Sequence, residues 1–159
     1  MSNQIQSAKF QTVITEGTTV ATNGTTTGQI DCLEFDHLTL LVNAGVGTSS
    51  TVSLFTTLTI GEADVTNVSS AVNIAALTLG TVTTTAVNGI IPTANTSVGT
   101  VLPIDVNLVG RKRYLLLTIT PAQAVPFGAV AILTRGKVMP ANAANSAIAT
   151  TGQAALVTA

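Results

Sequence analysis

IDVNLVGRKRYLLLTIT, Ile104 to Thr120, decides the fold class, together with its echo GAVAILT at Gly128 to Thr134. Ile104, Val106 and Leu108 alternate with Asp105 and Asn107, the period-2 pattern of a strand with one buried face. Gly110 and the basic run Arg111, Lys112, Arg113 interrupt that pattern as a turn does. Tyr114 to Thr120 follows as a nearly continuous apolar, β-favouring run, and predicts a strand buried on both faces. Pro121 and Pro126 bracket the next loop, because proline cannot donate to a ladder. Ala129 to Leu133 returns as a second apolar strand, and the short loop between the two predicts an antiparallel hairpin at the core.

Composition points the same way. Only 8% of the 159 residues are charged, and Thr, Ser and Asn stand in for the missing charges. Thr and Val favour strands, while the helix formers Glu and Lys are scarce. A formal net charge of −1 gives no bulk electrostatic support to nucleic-acid binding. So few charges also give little self-repulsion, which suits a chain whose surface is largely covered in an assembly. All 7 acids precede residue 106, and all bases but Lys9 fall between Arg111 and Lys137. A head-to-tail contact between copies would exploit that separation, but scattered solvated charges are the simpler expectation. Cys32 is the single cysteine, so no intrachain disulfide forms. The start MSNQIQSAKF lacks a basic region followed by an apolar run, so the expectation is a protein made in a cytosol without a signal peptide. No uncharged apolar stretch reaches the ~18 residues of a membrane helix, and no membrane partner is expected.

Along the chain, Ser7 to Ile14 reads as a first strand, and Glu16 to Gly28 as a loop with an Asn23-Gly24 turn. Ile30 to Phe35 and Leu38 to Val42 read as strand, split or bulged near Asp36-His37, with a turn from Asn43 to Ser50. Val52 to Ile60 alternates, with Val52, Leu54, Leu58 and Ile60 on one face and Ser53, Phe55, Thr57 and Thr59 on the other; Gly61 to Asp64 turns the chain. Val72 to Leu79 fits either a short strand or a helical turn. Thr81 to Val87 reads as a strand closed by Asn88-Gly89, which suits a type I′ hairpin, with Pro92 marking an edge. Roughly eight strands at intervals of about 8–12 residues predict an all-β chain, a jelly-roll-like antiparallel β-sandwich over residues 8–137. Residues 1–7 and 138–159 are expected as extended N- and C-terminal arms, the uncharged C-terminal one lying on a neighbouring chain.

Three pieces carry a resemblance: FDHLTLLVNAG at Phe35 to Gly45, VSLFTTLTIGEADVTNVSSAV at Val52 to Val72, and IDVNLVGRKRYLLLTITPAQAVPFGAVAILTRGKVMP at Ile104 to Pro140. In this order they resemble small virion proteins of tailed bacteriophages, several of which are capsid decoration, or cement, proteins. The most specific piece is Arg111-Lys112-Arg113-Tyr114 between two aliphatic strands. The resemblance implies a structural protein on the outer capsid surface, often a homotrimer at a local three-fold axis, that bridges capsomers and stiffens the shell. The implied partners are the major capsid protein and further copies of the chain, with avidity multiplying weak contacts. The implied location is the virion. A tail, neck or head-fibre component is the alternative placement, and a β-sandwich adhesin the alternative class.

No residue pattern supports an enzyme, a metal or a cofactor. His37 is the single histidine, with no HxxxH or CxxC spacing around it. There is no Gly-x-Ser-x-Gly elbow, and Gly45-Val46-Gly47 lacks the third glycine of a dinucleotide loop. The i, i+2 pairs Glu34/Asp36 and Glu62/Asp64 would share a strand face rather than oppose each other across a cleft. Oxygen ligands from Asp31, Glu34 and Asp36 are the one conceivable calcium set. Arg111, Lys112 and Arg113 are the candidate interface, with guanidinium forks meeting a carboxylate of the capsid or a sister chain; the alternative is a solvated turn anchored by Tyr114. Arg135 and Lys137 are a second candidate pair.

Overall fold

The computed structural model of the chain describes residues 8–49, 54–66, 71–80 and 97–136. Eight strands run in order: β1 (Lys9–Val20), β2 (Thr26–Asp31), β3 (Phe35–Ala44), β4 (Phe55–Ala63), β5 (Val72–Gly80), β6 (Thr100–Asn107), β7 (Tyr114–Pro121) and β8 (Val125–Gly136). They form two four-stranded sheets, β1-β8-β3-β6 and β2-β7-β4-β5, in which every pairing is antiparallel. The protein is an all-β sandwich, with no helix among the described residues. The pairings are nested: β1 with β8, β2 with β7, β3 with β6, β4 with β5.

The core lies between the sheets. Leu38, Leu40 and Val42 of β3 alternate inward and face Leu58 and Ile60 of β4 and Leu115, Leu117 and Ile119 of β7, all fully buried. Phe55 and Phe127 meet with ring centroids 5.1 Å apart at 37°. Inward alternation on two facing sheets is what removes these side chains from water, at ~25 cal/mol per Å² of apolar surface.

Several expectations are corrected. β7 is buried on one face only: Leu115, Leu117 and Ile119 are interior, while Tyr114, Leu116 and Thr118 are half-buried on the outer surface. β7 and β8 are not a hairpin; their connection crosses from one sheet to the other. The crossover is held by buried Gln123. Its Oε1 accepts from the Thr48 N–H at 2.8 Å, the Thr48 hydroxyl at 3.0 Å and the Ser49 N–H at 3.1 Å, and its amide donates to the Ser49 carbonyl at 3.3 Å. The stretch expected as a loop from Glu16 is strand as far as Val20, and β2 begins at Thr26, with Asn23 (φ 61°) at the expected turn. The break expected at Asp36-His37 falls earlier, where Glu34 adopts φ 70°. Asn43 and Ala44 belong to β3, and Gly61 to Ala63 continue β4 rather than turn it. A register slip between Phe55 and Thr57 turns Phe55 into the core instead of outward. The segment left open between strand and helix is strand β5. The expected 81–92 hairpin, Lys137 and both arms (1–7 and 138–159) lie outside the described residues.

The β1–β2 side of the sandwich is closed by polar side chains. Lys9 Nζ donates to the Asp31 carbonyl at 3.1 Å, and Gln11 Nε2 to the Gln29 carbonyl at 2.9 Å. These bonds satisfy carbonyls on the free edge of β2, which would otherwise invite a further strand. Gln11 Oε1 is buried with no hydrogen-bond partner among the described residues.

Candidate interaction surface at the loop end

The basic loop, residues 108–113, joins β6 of one sheet to β7 of the other. Leu108 N–H donates to the Asp36 carbonyl at 3.0 Å, and Arg111 N–H closes a turn onto the Leu108 carbonyl at 3.0 Å. Gly110 (φ 79°) makes that turn without steric penalty. Asn107 caps it by accepting from Val109 N–H at 3.1 Å.

Register then decides what the loop meets. Tyr114, the first residue of β7, pairs with Asp31 on β2 and with Ala63 on β4. Acids at the ends of both neighbours therefore flank the bases. Arg113 forks onto Asp31, with Nε to Oδ1 at 3.0 Å and Nη2 to Oδ2 at 2.8 Å. Lys112 Nζ meets Asp64 Oδ2 at 2.7 Å, and its backbone N–H donates to Glu62 Oε2 at 3.3 Å. Arg111 Nη1 stands 3.6 Å from Glu62 Oε1, the loosest of the three pairs. Arg113 also lies over the Tyr114 ring at 4.8 Å. The acids and bases segregated along the sequence are thus brought together within one chain.

Titration follows the geometry. The hydrogen bonds from Arg113 hold the Asp31 carboxyl below its ordinary value, against a smaller opposing effect of burial. The Asp64 carboxylate raises Lys112, and Asp31 raises Arg113. Burial pushes the Cys32 thiol up to about 12, which removes it as a nucleophile near neutral pH. His37 is 3.8 Å from Asp105 and its Nδ1 is 3.4 Å from the Thr134 hydroxyl, on the outer face of the other sheet. Asp31, Glu34 and Asp36 are not gathered as ligands: the Asp31 carboxylate is taken by Arg113 and the Leu33 N–H at 3.1 Å. Among the described residues no cluster of three potential metal ligands occurs, and no helix is long and apolar enough to cross a membrane.

A cavity of about 280 Å³ opens between the 32–36 and 108–113 segments. Glu34, Asp36 and the three bases line it, and exposed Leu33 and Val109 stand at its rim. Arg135 is exposed near the end of β8 with φ 55° and takes no part in the three loop ion pairs. The sequence did not single out Gln123, Lys9 or Gln11, whose polar groups join the two sheets. Searches against protein-family models and against curated protein sequences find no match to the chain.

Proposed function

We propose that the chain is a structural, non-enzymatic virion protein that decorates a capsid and stabilises the shell as a homo-oligomer. The observation that carries this reading is strand order. Two sheets ordered β1-β8-β3-β6 and β2-β7-β4-β5, with pairings nested from the outside in, support reading the sandwich as a jelly roll. That architecture recurs in viral capsid and lectin domains. The low charge content and the resemblance of about Asp36 to Lys137 to phage virion proteins lend further support. So does the loop end, where Asp31 and Asp64 hold Arg113 and Lys112 closely while Glu62 stands 3.6 Å from Arg111. In this reading Arg111, the loosest of the three, is the loop base that turns to a capsid carboxylate, and Arg135 and Lys137 lead into an arm that tracks the shell.

The test is to mix the purified full chain with shells that lack it, pellet the shells and count bound copies. Saturation at a fixed number per capsomer is expected, with weaker binding by Arg111→Ala. Failure to pellet with shells sinks the reading. A tail, neck or head-fibre position would instead be marked by binding restricted to the particle axis. The lectin members of the same architecture make an adhesin the second reading. A glycan array without hits removes it.

A further inference from the structure

Among the described residues the two sheets end in four edge strands, β1 and β6 on one sheet and β2 and β5 on the other. An edge strand presents a row of unpaired N–H and C=O groups that another chain can extend. Charge does little here to prevent that, since 8% of the residues are charged and the formal net charge is −1. Three of the four edges are closed instead, each by a different device.

On β6 the hydrogen-bond phase is set by Leu108 N–H, which donates to the Asp36 carbonyl at 3.0 Å. Along the β3–β6 register this turns the N–H groups of Val106, Ile104 and Leu102 to β3, and leaves positions 105, 103 and 101 facing outward. Position 103 is proline, which has no N–H, so the middle one of three outward donors is missing. Exposed Asp105 sets a charge beside the gap. On β2 the phase is set by Cys32 N–H, which donates to the Arg113 carbonyl at 2.9 Å, so Thr27, Gln29 and Asp31 face outward. Two of their carbonyls are taken from the side, Gln29 by Gln11 Nε2 at 2.9 Å and Asp31 by Lys9 Nζ at 3.1 Å. Val13 lies against the same strand, 2.5 Å through its carbonyl oxygen from where a Cβ on Gly28 would stand. On β1 the ladder itself is broken. Val13 is left out between the pairs Thr12↔Val130 and Ile14↔Ala129, and Thr15, Glu16 and Gly17 together oppose Gly128. The second bulge is closed by Gly17 at φ 82° and by the Thr18 hydroxyl donating to the Thr15 carbonyl at 2.7 Å. Such bulges bend a strand out of the straight row that a partner strand would need.

We infer that β1, β2 and β6 are built to refuse a further strand, so that copies of this chain do not join sheet to sheet at these edges. A partner, or a second copy, is met by side chains rather than by strands added to them. Pro103, the paired side chains of Lys9 and Gln11, and the bulges of β1 do for a charge-poor chain what charged edge residues do elsewhere. β5 (Val72–Gly80) is the fourth edge strand and leads into residues outside the described ones, so it takes no part. None of this rests on the proposed function.

The experiment uses the full chain without capsids and reads amide hydrogen exchange and sedimentation over a range of protein concentration. In the parent the outward N–H groups of Val101 and Asp105 are expected to exchange at least about tenfold faster than the inward ones of Leu102 and Ile104, at every concentration. Pro103→Thr combined with Asp105→Thr supplies the missing donor and removes the charge. Two copies then pair β6 to β6, a self-complementary contact that closes on itself. The sedimenting mass is expected to double relative to the parent at the same concentration, while the circular dichroism stays that of the parent. The N–H groups at positions 101, 103 and 105 slow with it, at least about tenfold, which mere loss of stability does not produce. Pro103→Thr alone is the second variant, should the double one not fold, with the same doubling at higher concentration. Parent chains whose outward N–H groups on β1, β2 or β6 become protected as concentration rises overturn the inference. So do folded variants that add no pairing at any concentration.

Discussion

Gly28 of β2 sits where β1 crosses closest. A Cβ there would come within 2.5 Å of both the Val13 carbonyl oxygen and Val13 Cγ1. The backbone contact cannot be relieved by a rotamer change. Gly28→Ala is expected to destabilise the fold by about 1–3 kcal/mol, measured by chemical denaturation. Asp31 makes a pH prediction. Its folded pKa is lowered, chiefly by the Arg113 hydrogen bonds, so its contribution is present above the unfolded value and lost as pH falls through the folded one. Asp31→Asn should lower stability by about 0.5–1 kcal/mol at pH 7, discounted for the partial exposure of the pair, and the gap should shrink as pH falls below the ordinary carboxylate range. A gap unchanged in acid would mean that the Asp31–Arg113 fork contributes nothing. Of this cluster the sequence made only the basic side legible. Arg111 to Arg113 interrupt an apolar pattern and stand out, but Asp31 lies 82 residues from Arg113, and no local pattern announces that pairing.

At the scale of elements, Gln123 decides more than its place in a short loop suggests. Through Oε1 it holds residues 48 and 49, and with them the β3–β4 connection, against the β7–β8 connection. Gln123→Ala strands the Thr48 and Ser49 N–H groups and is expected to cost about 2–3 kcal/mol, with faster amide exchange at Thr48 and Ser49 than at core strands. Equal exchange in parent and variant would contradict that role. The alternation of β3, β4 and β6 was readable because period 2 is set by burial itself. The partner of each strand was not. Two apolar runs joined by a short loop read equally well as a hairpin or as a crossover between sheets, and the side chain that separates the cases is a single glutamine. The outward turn of Leu116 was hidden for a related reason: YLLLTIT is apolar throughout, yet Leu116 pairs with Gln29 and Gly61 on the outer surface rather than with core. The bulge that turns Phe55 inward sits beside Thr56 and Thr57, neither of which marks a break.

For the whole molecule, nested pairing explains how an all-β sandwich arises and why charges far apart in sequence meet in space. Folding the first half back on the second pairs β2 with β7 and sets β4 beside it, which delivers Asp31, Glu62 and Asp64 to the basic loop. With those bases largely answered at home, binding to a partner should depend weakly on salt. Raising ionic strength from 0.05 to 0.5 M, which shortens the screening length severalfold, should change shell affinity by less than about threefold. A steep salt dependence would return the weight to electrostatic docking. The proposed role of the chain is to stabilise a capsid. It is tested most directly by the thermal disruption of shells that lack the chain, measured with increasing amounts of it added. The account predicts a disruption temperature that rises and then levels off once the shell is saturated. Shells that come apart at the same temperature at every amount added would contradict it.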